Sequence, residues 1–190
     1  MAVNIPSNYN PNKFSFGPGV LSLAGITVDV STVQEADVTE IGAVRSGGTF
    51  AVTRTKLEVP QGSPVTIVKQ FVTAEDATLS VTGIEWDLSQ LRLALGAGVV
   101  DEGSDPESFG FGGDLNIVEC AVKFVHTMPS GYTLTIRLWR AQGTGDMTVT
   151  FGDDLHEIPY SFRALQSSNE WAGATLGASA QLFKITLDKV

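Results

Sequence analysis

The residues able to do chemistry are few, and their spacing does not assemble them. Cys120 sits inside the apolar run 117–125. A thiol there is expected to be a small buried hydrophobe, with no activating partner beside it. One cysteine excludes a disulfide within the chain and suits folding in a reducing compartment. His126 and His156 both lie next to turns, and neither has a second histidine at metal-ligand spacing. His156-Glu157 begins like a zinc-protease motif, but the second histidine is missing and Pro159 rules out the helix that motif needs. The cluster Gly110-Phe111-Gly112-Gly113 lacks the strand and helix that a dinucleotide loop sits between. The acidic stretch from Asp101 to Glu107 does not match a calcium-loop spacing, and Pro106 interrupts it. Arg137, Trp139 and Arg140 could offer a stacking platform for bases, but a net charge of −9 argues for a strand packed at a sheet or subunit surface. No catalytic residues, metal or cofactor are expected.

The elements that would position these residues are mostly strands. Alternation runs through 14–30, through "ATLSVTGIEW" (77–86), "LNIVECAVKFVH" (115–126), "YTLTIRLWRAQ" (132–142), "HEIPYSFRALQ" (156–166) and "QLFKITLDK" (181–189), and "GTGDMTVTFGDD" (143–154) reads as a continuation of the meander. The segment "SGGTFAVTRTKLEVPQGSPVTIVKQFV" reads as an extended β-hairpin over about 45–70, with mixed polarity on both faces and a broad turn at 60–64. One helix is expected at about 87–95. Asp87 is its N-cap, with Gln90 at capping-box spacing, and Gly96 is its stop. Leu88, Leu91 and Leu95 share one stripe of that helix, whereas Leu93 points the other way. The fold class is therefore mainly β: a two-sheet antiparallel β-sandwich or barrel with one short flanking α-helix. Residues 1–15, rich in Asn and Pro, read as an extended arm ahead of a single domain over 16–190. Neither a secretory signal nor an apolar run long enough to span a membrane is evident.

Charge sharpens the picture. Only 17% of the 190 residues are charged, and acids outnumber bases 21 to 12. Tight binding of a phosphate backbone by counterion release is not expected from that balance. Two stretches carry acids with no base between them: Asp29, Glu35, Asp37 and Glu40, and then Asp101, Glu102, Asp105 and Glu107, followed by Asp114 and Glu119. They read either as solvated loops or as a surface kept negative.

Four segments carry a resemblance in their joint order: "FGPGVL" at 16–21, "VTEIGAVRSGGTFAVTRTKLEV" at 38–59, "LSQLRLALGAG" at 88–98 and "HEIPYSFRALQ" at 156–166. Over about residues 16–187 the chain resembles the major tail tube proteins of long-tailed bacteriophages. The resemblance implies a structural virion protein, assembled in the host cytoplasm as stacked hexameric rings. These would form a hollow tail tube through which DNA passes without specific binding. It also implies that the inner sheets of neighbouring subunits join around the channel. The long hairpin and N-terminal arm would reach neighbouring rings, and tape measure, tail terminator and baseplate or tip proteins would be partners. Lumen-lining candidates are Asp29, Glu35, Asp37, Asp101, Glu102, Asp105 and Glu107; an acidic wall would repel DNA. Subunit-interface candidates are Leu93, as a leucine expected to face outward, and Arg54, Lys56, Glu58, Val59 and Pro60 on the hairpin. Ring proteins of related plan, such as tail terminator, tail-completion and type VI secretion tube proteins, are the near alternative. A carbohydrate-binding β-sandwich of a host-recognition fibre is the alternative of another class. It would expose a planar set of aromatics, and Trp86, Trp139 and Trp171 are scattered in sequence.

Overall fold

The computed structural model describes residues 15, 17–113 and 115–189. The expected N-terminal arm therefore lies outside the described residues, apart from Ser15. Ten strands and one α-helix are described: β1 (Val20–Ile26), β2 (Thr39–Glu40), β3 (Val44–Gln61), β4 (Thr66–Gly83), α1 (Leu88–Leu95), β5 (Val99–Asp101), β6 (Ser108–Gly110), β7 (Glu119–Thr127), β8 (Thr133–Gly143), β9 (Ile158–Leu165) and β10 (Phe183–Asp188). The protein is mainly β, and all strand pairs are antiparallel.

Eight strands form one hydrogen-bonded path, β2-β1-β7-β8-β9-β4-β3, with β10 joined to β8; β5 and β6 form a separate hairpin. The path does not close into a barrel. It becomes two layers at β8. The first half of β8, Thr133 to Leu138, pairs with β10, and its second half, Arg140 to Gly143, pairs with β9. Opposite this change of partner, the β7 ladder slips register between Cys120 and Val122. A bulge of this kind bends a strand and lets it serve two sheets. The layers are thus β2-β1-β7-β8-β10 and β8-β9-β4-β3.

Alternation in each strand fills the space between them. Leu21 and Leu23 of β1, Leu79 and Val81 of β4, Val122 of β7, Leu138 of β8 and Tyr160 and Phe162 of β9 form one buried cluster with the helix. Burying each such side chain is worth roughly 1.5–3 kcal/mol. The opposite parity of β1, β7 and β8 builds a second cluster, in which Ala24, Ala121 and Trp139 are covered by Val30, Val33, Trp171 and Leu176 from the loops. Trp139 Nε1 donates to Ala180 O at 2.9 Å and Trp171 Nε1 to Trp139 O at 3.0 Å. Trp139 is therefore interior to the chain, and its indole is not a platform for bases.

The helix starts where expected. Asp87 Oδ1 accepts from Ser89 N and Gln90 N, and Gly96 closes the helix in the left-handed region at φ 66°. The reciprocal half of the capping box is not made, because Gln90 Oε1 is buried without a partner. Leu93 requires a correction. It is only 8% exposed and belongs to the main cluster, packed toward Gly25 of β1. The helix lies on β1, β8 and β9 and is also touched by β5 and β6, so both leucine faces are covered within one chain. Among its residues only Arg92 is exposed. Gly143 makes this approach possible: a Cβ there would stand 2.0 Å from Ala94 O.

Two further expectations are revised. The meander expected over 143–154 does not form beyond Gly143. Thr144 N still donates to Ser161 O of β9 at 2.9 Å, and Met147 and Val149 turn onto the core, but the segment is not a strand. The loop after the helix contains the short β5–β6 pair, which its Gly-rich sequence concealed.

Candidate assembly surface

The longest elements of the protein carry its least buried residues. β3 and β4 are 18 residues each, a span of about 60 Å at the usual rise per residue. β9 supports β4 only from Thr78 to Gly83. Beyond that point, from Arg54↔Glu75 to Gln61↔Thr66, the two strands pair with each other alone, and all of residues 51–75 are exposed. The hydrogen-bonded ladder and cross-strand pairs hold this ribbon, not a core beneath it.

Register decides what the ribbon displays. A shift between Thr55 and Lys56 places Leu57 opposite Phe71 and Val59 opposite Lys69. Paired residues share a face, so Leu57, Val59 and Phe71 gather on one side. Lys69 Nζ lies 4.7 Å over the Phe71 ring. The other side sets Lys56 opposite Val72 and Glu58 opposite Gln70, whose Nε2 donates to Glu58 Oε1 at 2.8 Å. Pro60 and Ile67 join Val72 on that second side, so both sides of the ribbon mix apolar and polar residues, as expected. Sequence reasoning named Arg54, Lys56, Glu58, Val59 and Pro60 on the outgoing strand, and all five are exposed. It missed Val65, Ile67, Val68, Phe71 and Val72 on the turn and return strand, which are 44–73% exposed. Their signal was an apolar sequence following a turn, which reads equally well as a buried strand.

At the base of the ribbon, Arg54 Nε donates to Glu75 Oε1 at 2.7 Å and Arg163 Nε to Asp76 Oδ1 at 2.8 Å. These pairs stand in an open groove of about 1120 Å³ between the ribbon, β9 and the approach to β10. Both partners of each pair are well solvated, so neither is worth much in stability.

The opposite end of β3 and β4 is acidic. There Glu40, Glu85, Trp86, Asp87, Glu102 and Glu107 line a cleft of about 530 Å³. Gly42 sits at φ 86°, and a Cβ on it would lie 2.2 Å from Glu85 Oε2, so glycine lets the carboxylate close on the turn and accept from Ala43 N at 2.9 Å. Asp87 is engaged as the helix cap. Glu40, Glu102 and Glu107 accept no hydrogen bond and have no ion-pair partner among the described residues. Beside the cleft, the exposed Trp86 and Phe151 rings lie 9° from parallel with centroids 6.3 Å apart, and His156 meets Phe151 edge-on at 4.8 Å.

The seven lumen candidates are not brought together as one group. Glu102 and Glu107 join the cleft, and Asp101 and Asp105 are exposed on the same β5–β6 hairpin. Asp29, Glu35 and Asp37 lie on the segment that covers the second cluster. Asp29 Oδ1 accepts from Ser31 N at 2.8 Å, which with the Ser31 side chain holds its carboxyl below the usual value. Asp37 Oδ2 accepts from Gln34 N at 2.7 Å. Glu35, unopposed in sequence, is opposed in space. Lys123 Nζ lies 3.2 Å from it and Arg137 Nε 3.0 Å. Partial burial would raise its pKa, but these cations more than offset that and lower it. Likewise Arg140 is paired with Glu119. Cys120 is fully buried, and burial pushes its thiol up, away from reactivity. His126 Nδ1 lies 2.9 Å from Pro18 O. Among the described residues, no group of three or more His, Cys, Asp or Glu is placed to hold a metal ion, and no helix is long and apolar enough to cross a membrane. No protein-family model matches the chain, and a search of curated proteins finds no match.

Proposed function

We propose that this chain is a self-assembling structural subunit, the major tail tube protein of a long-tailed phage, whose stacked rings enclose a channel for DNA. The observation that carries the reading is the ribbon. More than twenty consecutive exposed residues, with large apolar side chains on both sides, project from a sandwich that is already filled. Exposed apolar surface of this extent marks an interaction site. Unpaired edges of β3 and of the outer part of β4 add backbone groups that a second copy can satisfy. Net charge of −9 supports passage of DNA without adhesion. Of the acids considered for the lumen, Asp101 and Asp105 suit that role best, since Glu35 is neutralised by its two cations.

The test is assembly of the purified chain. Sedimentation across a concentration series, with electron microscopy of the same samples, should give rings or hollow tubes above a threshold concentration. Monomers at every concentration, salt and temperature would count against the proposal. The near-parallel Trp86–Phe151 pair favours one second reading, a sugar-stacking surface. Glycan-array binding by a strictly monomeric protein would support that reading instead.

A further inference from the structure

Seven of the eleven lysines and arginines among the described residues are committed to ion pairs. Arg45, Arg54, Lys123, Arg137, Arg140, Arg163 and Lys184 each lie within ion-pair distance of a carboxylate. Among the described residues, Lys56, Lys69, Arg92 and Lys189 have no such partner. Two of these four stand on the outer ribbon, among exposed Leu57, Val65, Ile67, Val68 and Phe71, where Glu58 is the only acid. The complementary surface lies at the other end of the same strands. There Glu40, Glu102 and Glu107 are unpaired, Glu85 and Asp87 add charge, and Trp86 and Phe151 offer exposed aromatic surface. Beneath this end the ring of Tyr160 packs under Gly83. Its hydroxyl is buried and has no partner among the described residues. Burial first, and then the charges of Asp87 and Glu85, push its pKa up to about 12.

We propose that the outer ribbon of one copy docks on the acidic, aromatic-edged cleft of the next copy, with Lys69 on one side of the ribbon and Lys56 on the other both reaching the carboxylates of Glu102, Glu107 and Glu40. The inference rests on the assembly reading above and says which surfaces carry the contact. Tip and cleft lie at opposite ends of the β3–β4 pair, about 60 Å apart at the usual strand rise. The contact therefore joins unlike surfaces head to tail, and such contacts propagate into a filament. It covers exposed apolar side chains of the ribbon and gives the unpaired carboxylates cationic partners. It also moves Glu102 and Glu107 from the lumen to the contact between subunits.

Charge exchange tests it. Lys56→Glu with Lys69→Glu makes the ribbon anionic, and Glu102→Lys with Glu107→Lys makes the cleft cationic. All four positions are exposed, so both variants should fold. Each pair alone should raise the threshold concentration for assembly by about tenfold or more, as like charges meet. The four changes together should restore assembly, because the charges are again opposite. Wild-type assembly should also weaken as salt rises and the Debye length shortens. If wild-type protein assembles but both double variants assemble equally well, or the fourfold variant fails to recover, the docking site is wrong and the assembly reading stands. If wild-type protein never assembles, both fall.

Discussion

Leu93 marks the difference between a residue's direction on its own helix and its surroundings in the fold. The leucine spacing correctly set Leu88, Leu91 and Leu95 apart from Leu93, but a helical wheel does not say what lies on each side. Here the sheet lies on one side and the β5–β6 hairpin on the other, so Leu93 is interior. Leu93→Asp should therefore destabilise the fold itself rather than act only on assembly. A lone buried carboxylate in place of a packed leucine should cost at least about 3 kcal/mol. In a chain of this size that lowers the melting temperature by roughly 10 °C, readable by calorimetry on the monomer. A variant that melts like the wild type but does not polymerise would restore Leu93 to the interface. Glu35 teaches the same lesson for charge. Its cations, Lys123 and Arg137, lie on β7 and β8, far along the chain, so an acid run unopposed in sequence need not be unopposed in space.

Elements whose signals are local were legible. The helix carries its cap and stop within its own sequence, at Asp87 and Gly96, and the hairpin carries its turn. What was not legible depends on partners. The bend of β8 follows from a register slip against β7, and no feature of either strand alone announces it. The segment 143–154 alternates, yet beyond Gly143 it forms no strand. The tight seat of the helix depends on Gly143, which in sequence reads as a turn residue. Gly143→Ala would drive a methyl group into the Ala94 carbonyl, and backbone there cannot yield as a side chain would. Overpacking of this kind should cost about 1–3 kcal/mol or more, measured as a lower urea midpoint at unchanged slope. A neutral substitution would show that α1 is free to shift on β8.

At the scale of the molecule, the sandwich and the ribbon divide the work. Two buried clusters lie within the bent sheet and its covering segments, and the ribbon contributes surface rather than core. The proposed head-to-tail contact follows from the charge layout, with the cationic ribbon at one end of β3 and β4 and the acidic cleft at the other. That division can be tested by replacing residues 55–74 with Asn-Gly, which would close Arg54 onto Glu75 in a two-residue hairpin turn. The decisive measurement is electron microscopy of this shortened chain beside the full-length protein at equal concentration, with unfolding followed on both. The account predicts tubes from the full-length protein, no tubes from the shortened one, and cooperative unfolding of the shortened chain within a few degrees of the parent. Full-length protein that stays monomeric, or a shortened chain that still forms the same tubes, would contradict it.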